Sequence, residues 1–209
     1  MSARIKRTAT AAAIAAATAL AFSPQALAAA FDINFDCSGD SPLGEQLFSL
    51  PQTAEVIAPA SVAPGAGLEL VIDPEPSTVP TEVNGYAVER VEGLDLRIPI
   101  PANSTFVSAE LSGGSGLGDT PPTLTVDGDL ATLHLDGPMA GGAAYELPTV
   151  TAQLTAADSG TIETRLHGTG YDDPGLTFNA VVSSILGEID VPTACYPNPN
   201  PVLTTTTIG

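Results

Sequence analysis

The sequence predicts an all-β fold, an antiparallel β-sandwich of immunoglobulin-like or related type with at most one short helix. Three observations carry this. About ten short segments of alternating polarity or short apolar runs recur along the chain, separated by turn signals drawn from 20 glycines and 19 prolines. No long segment of helical period lies between them to act as a crossover, so the strands pair mainly antiparallel. Two cysteines, Cys37 and Cys195, stand near the two ends of the mature part of the chain. In an exported protein an even cysteine count predicts a disulfide, which would bind the first strand to the last core strand.

Export is read from the N-terminus. Arg4, Lys6 and Arg7 form a basic region, residues 9–22 an alanine-rich apolar run, and Ala26-Leu27-Ala28 a cleavage site of small residues. The run is shorter and less apolar than a membrane span requires and is closed by Ser23-Pro24. Residues 1–28 are therefore read as a signal peptide, with no transmembrane helix after cleavage. Residues 29–197 form the sandwich domain, and residues 198–209 a Pro/Asn/Thr-rich tail that either adds an edge strand or hangs free.

Loss of the signal takes the net charge from −18 to −21 and leaves Arg90, Arg97 and Arg165 as the basic residues, with no lysine. A surface this acidic does not bind nucleic acid or an anionic membrane through phosphate contacts. Without lysine there is no Schiff-base or phosphate-loop chemistry, and a bridged cysteine pair offers no thiolate. No cofactor is implied.

The elements follow in order. Residues 31–37 alternate strictly, so Phe31, Ile33, Phe35 and Cys37 share one face of a strand. Residues 46–58 read as a strand interrupted at Pro51, and residues 68–73 as another, stopped by Pro74-Glu75-Pro76. Residues 81–91 have the only internal spacing that suits a helix, through Val83, Ala87, Val88 and Val91, although Asn84-Gly85 weakens it. Residues 95–101 alternate again, and their prolines place them at an edge or bulge. Residues 105–111 form a strand, 112–122 an exposed loop, and 123–135 a hairpin turning at Asp127-Gly128 with Leu124, Val126, Leu133 and Leu135 inward. Residues 145–154, 162–167, 176–185 and 189–195 complete the set. Asn103-Ser104-Thr105, though it matches a glycosylation pattern, is read as a turn.

Residues able to carry chemistry are few. His134 and His167 each fall in a predicted strand, and alternation turns His134 outward. With a carboxylate they could form a zinc site or serve a hydrolase; separately, Asp172 and Asp173 beside Tyr171, and Asp127 with Asp129, put carboxylates at turns where oxygen ligands could hold calcium. Turn aspartates more often cap local backbone. Gly113-Gly114-Ser115-Gly116 lacks the spacing of a nucleophile elbow. No catalytic residue and no metal ligand is assigned.

Six segments carry a family resemblance: Phe35-Asp36-Cys37; Val83-Asn84-Gly85-Tyr86-Ala87-Val88; Leu94-Asp95-Leu96-Arg97-Ile98-Pro99-Ile100-Pro101-Ala102-Asn103; Leu111-Ser112-Gly113-Gly114; Asp173-Pro174-Gly175-Leu176-Thr177-Phe178; and Cys195-Tyr196-Pro197-Asn198-Pro199. In these the chain resembles small secreted actinobacterial proteins, found notably in mycolate-bearing genera and of uncharacterised function, some of which bear the label "cyclase". The resemblance spans nearly the whole mature chain. It implies a secreted or cell-envelope location and a disulfide-closed sandwich, and it implies no catalytic residue.

The reading that results is an acidic, secreted or envelope-associated β-sandwich with a non-enzymatic structural or binding role, its partner an envelope component or a lipid. One alternative is a secreted hydrolase or cyclase using His134 or His167 with carboxylates. Another is a self-associating surface module that donates its C-terminal tail.

Overall fold

A computed structural model describes residues 26–42, 44–185 and 187–209. Most of the expected signal peptide, residues 1–25, lies outside the described residues. The described chain is all-β: β1 (Ala26–Gly39), β2 (Gln46–Pro59), β3 (Ser61–Val62), β4 (Gly67–Pro74), β5 (Ser77–Thr78), β6 (Glu82–Val83), β7 (Tyr86–Pro99), β8 (Ser104–Ser112), β9 (Thr123–Asp127), β10 (Leu130–Leu135), β11 (Met139–Ala140), β12 (Ala144–Tyr145), β13 (Thr149–Ala156), β14 (Gly160–Thr164), β15 (Leu176–Ser184), β16 (Gly187–Pro197) and β17 (Thr204–Ile208).

The main sheet runs β8-β13-β4-β2-β1-β16-β15-β7-β10-β9, with β6 and β11 also paired to β7, and its pairings are antiparallel. Its end strands β8 and β9 approach one another, so the sheet curls into a sandwich that is nearly a barrel. Alternation sets the inner face. Ile33, Phe35 and Cys37 of β1 are buried, as are Leu68, Leu70 and Ile72 of β4 and Leu133 and Leu135 of β10.

Cys37 and Cys195 are bridged, as expected, with their Cα atoms 4.1 Å apart and both residues wholly buried. The bridge joins direct register partners on β1 and β16, adjacent strands of one sheet. It therefore ties the two ends of the chain together side by side, near the middle of the strand order, and does not cross from layer to layer.

Several expectations are corrected. Residues 81–91 form no helix. Asn84 (φ 51°) and Gly85 (φ 85°) make the tight turn of a hairpin between β6 and β7, a conformation that Asn-Gly adopts at low cost and that sends the valines into strands. Residues 95–99 are part of β7: Asp95 and Leu96 lie inside the sheet between β10 and β15, while Arg97, Ile98 and Pro99 have only β10 as ladder partner, with Pro99 at the exit of the strand. β7 is bent by bulges, one of them at Gly93 (φ 62°), so that one strand serves several neighbours.

Pro51 does not interrupt β2. It pairs in register with Asn34 where β2 has β1 as its ladder partner, and β4 joins β2 only from Ala54 onward. Val126 is 36% exposed, because β9 is the outermost strand and overhangs the core. His167 lies beyond β14, in the irregular segment before β15.

The tail is a strand, but not at an edge. β17 is the middle of a three-stranded sheet, antiparallel to β14 and parallel to β3. Leu203, Thr206 and Ile208 are buried there, and the Thr206 hydroxyl donates to the carbonyl of Pro59. Asn103 (φ 60°) does occupy a turn, where its side-chain amide donates to the carbonyl of Thr161.

Candidate functional site

Three adjoining apolar cavities lie inside the curl of the main sheet. The first is lined by residues that include Phe48, Leu50, Val88, Leu94, Tyr145 and Phe178. The second shares Phe48, Val83, Val88 and Ala180 with it and runs to Ile189 and Thr193. The third shares Leu50, Leu94 and Tyr145 with the first and runs to Phe35, Leu166 and Leu203. Their volumes are small, about 50, 40 and 60 Å3 respectively, and each is partly open to solvent. Shared wall residues set them side by side, a row of three small apolar cavities along the inside of the sheet.

Local sequence explains why the space stays open. β2 turns Phe48 and Leu50 inward, and both remain half-buried beside these cavities. The opposing wall offers Ala180 and Val88 on β15 and β7, small residues where larger ones would fill the gap. A lid covers part of the space. β5 pairs with β12, the amide of Val79 donates to the carbonyl of Ala143, and these bonds seat Val79 and Tyr145 over the first cavity. One polar group sits between the first and third cavities: the Gln52 side-chain amide donates to the Tyr145 hydroxyl at 3.0 Å and to Ser77 Oγ at 3.4 Å.

The titratable residues picked out from the sequence lie elsewhere, on the outside. His134 faces outward as expected, and both its ring nitrogens are taken: Nδ1 is 2.7 Å from Asp95 Oδ1 and Nε2 is 3.0 Å from Asp136 Oδ1. The Asp95 hydrogen bond, then that of Asp136, raises the His134 pKa above its ordinary value. The same contact, helped by Thr120, lowers that of Asp136.

His167, Thr169, Tyr171 and Asp173 do come together on the segment between β14 and β15. His167 Nε2 is 2.9 Å from Asp173 Oδ1, and the Thr169 hydroxyl donates to Asp173 Oδ2 at 3.0 Å. These bonds, that of Thr169 first, lower the Asp173 pKa. Tyr171 stands edge-on to Tyr196 with ring centroids 5.2 Å apart. Burial, then Tyr196 and the Asp36 and Glu45 charges, raises the Tyr171 pKa. Asp172 is exposed.

The two histidines do not share a carboxylate. Both imidazoles bond to carboxylates, His134 to Asp95 and Asp136 and His167 to Asp173. Among the described residues no group of three or more His, Cys, Asp and Glu is arranged to hold a metal ion. The sequence allows a lipid partner in an apolar crevice between sheets but names none of the lining residues, because they come from strands distant along the chain.

The His134 clasp has a pH signature. A histidine whose pKa is raised on folding stabilises the fold fully below its unfolded value of about 6.5, and that contribution is lost as pH rises through the folded value. Asp136 and Asp173 act in the opposite sense, contributing above the ordinary carboxylate value and losing it as pH falls through their lowered folded values. His134→Ala should therefore lower stability near pH 5.5, and the deficit should vanish near pH 9. With the His134 side chain 41% exposed, solvent screening keeps the effect below about 1 kcal/mol. Urea melts of both proteins at the two pH values measure it, and an equal deficit at both would exclude the clasp as its source.

Fold and site together define a disulfide-closed antiparallel β-sandwich, nearly a barrel, that encloses apolar space. No family model matches the chain, and no curated protein matches it. A solved structure from Corynebacterium diphtheriae, described as "Putative membrane anchored protein", is similar to it in fold, with a TM-score of 0.58 and 19% sequence identity over 87% of this chain. The chain spans 38% of the length of that protein. Among the described residues, no helix is long and apolar enough to cross a membrane.

Proposed function

We propose that this is a secreted or envelope-associated binding protein that holds an elongated apolar ligand, such as one acyl chain of a lipid, inside its curled sheet. The observation that carries the reading is the row of three adjoining apolar cavities under β2, β7 and β15, which an entering chain would widen. Burying the methylenes of a chain there is worth about 0.8 kcal/mol each, enough for several to hold a ligand against its loss of freedom. The buried disulfide supports an extracytoplasmic location, and the description of the corynebacterial protein as membrane-anchored supports the envelope.

Two features weigh against the rival roles. β17 is already paired to β14 along its length and to β3 at Thr207 and Ile208, so donating it to a second copy would first break these ladders. His134 has both ring nitrogens bonded to carboxylates and none left to act as a base.

Organic extraction of protein purified from its native source, followed by mass spectrometry, is expected to release a lipid. Stripped protein should bind a fluorescent fatty alcohol saturably. Ala180→Phe, which projects a ring where the first and second cavities join, should reduce that binding at least tenfold while the melting transition stays cooperative. A clean extract together with no saturable binding by the stripped protein would overturn the proposal.

A further inference from the structure

From the charges around the mouth of the apolar space we infer that its occupant is a lipid with an uncharged head, and that fatty acids and phospholipids are disfavoured. The inference rests on the binding reading above and adds the chemistry of the head group.

The second cavity reaches the surface between the start of β2, the β6–β7 hairpin and the β15–β16 turn, where Ser41, Gln46, Val83, Tyr86 and Ile189 line it. Exposed carboxylates flank these residues. Asp40 adjoins Ser41, Glu45 adjoins Gln46, Glu82 adjoins Val83, and Glu188 adjoins Ile189. The side of the mouth facing solvent is therefore negative.

No cation is available to offset it. The described residues include three arginines and no lysine. Arg90, on the strand beside the mouth, is held by Glu188 at 2.9 Å and Glu92 at 3.5 Å. Arg97 donates to the carbonyl of Pro174, and Arg165 is held by Glu163 and the carbonyl of Asn200. Glu188 is neutralised by Arg90, which leaves Asp40, Glu45 and Glu82: an anionic head emerging from the mouth would meet these like charges and no unpaired arginine, which repels it in the way complementary charge would attract it.

The same rim carries apolar side chains that solvent does not account for. Leu47, between Gln46 and Phe48, is 57% exposed, and Ile185 in the β15–β16 turn is fully exposed. Half-buried Val83, Tyr86 and Ile189 continue the apolar surface from the rim into the cavity. A rim that is apolar inside and acidic outside suits a ligand whose chain enters and whose head can lie beside carboxylates as a hydrogen-bond donor, such as a hydroxyl.

Two probes of equal chain length test this on the disulfide-intact, lipid-stripped protein: a pyrene-labelled fatty alcohol and the corresponding fatty acid. At pH 7.5 and low ionic strength the alcohol is expected to bind about tenfold more tightly, and the gap should shrink as salt is added. Asp40→Lys combined with Glu82→Lys, both at exposed positions, should close the gap by tightening the acid and leaving the alcohol unchanged. Equal affinities in the unmodified protein, or tighter binding of the acid, would overturn the inference and leave the binding reading standing. Failure of both probes to bind would overturn both.

Discussion

Replacing Cys37 and Cys195 together by alanine is expected to lower the stability of the domain by about 3–5 kcal/mol and its melting temperature by about 10 °C or more. The bridge spans a sequence separation of 158 residues, for which the loop-entropy model gives about 5 kcal/mol, and residual structure in the reduced chain brings the figure down. Both residues are wholly buried in the inner face, so the double variant also loses packing there. The loss should be unevenly placed. Amide exchange should accelerate along β1 and β16, which the bridge ties, more than along the remote β9–β10 hairpin. Calorimetry of the variant, and of the parent with and without reductant, measures the effect. A difference below about 1 kcal/mol would show that the strand pairing alone holds the two ends.

Deletion of residues 202–209 is expected to do comparable damage. It removes β17 from between β14 and β3 and takes Leu203, Thr206 and Ile208 out of the core, with burial of 97%, 99% and 93% in that order. Truncating a buried Leu or Ile costs about 2–5 kcal/mol, so two such losses, even if partly compensated, amount to about 4 kcal/mol or more. β14 and β3 would also be left with open ladder edges beside exposed apolar side chains such as Ile162 and Val62. The truncated chain should therefore elute with aggregate on size exclusion and melt earlier. A stable, monomeric truncation product would mean that the third wall of the core does not depend on this segment.

Much of this architecture could be read from the residues, and the parts that could not share a cause. Strict alternation over residues 31–37 correctly gave the inward face of β1, because a half-buried strand has period two and nothing else reproduces it. The Cys37–Cys195 bridge followed from export and an even cysteine count. The helix over residues 81–91 failed because Val83, Ala87, Val88 and Val91, whose spacing could share a helical face, sit equally well in a two-residue strand, β6, and the start of a long one, β7. Asn84-Gly85, the stronger local signal, decided between them. Placing residues 95–101 at an edge failed because two prolines spoke for the end of β7 and not for the whole of it. A lipid-binding crevice could be entertained from the sequence, but its residues could not be named. Phe48, Val88, Tyr145 and Phe178 meet only through the closure of the sheet, and a cavity is an absence of bulk that no single segment reveals.

The way β1 lies against β16 has a consequence for the order of assembly. Hairpins such as β1–β2, β9–β10 and β15–β16 join near neighbours in the chain and can close within microseconds of becoming available. The seam between them cannot: it unites segments from opposite ends of the polypeptide, so the middle of the sheet is the last part to be zipped and sets a slow overall rate. An oxidant arriving early would find two thiols far apart, and the sulfur–sulfur bond records the completion of the fold.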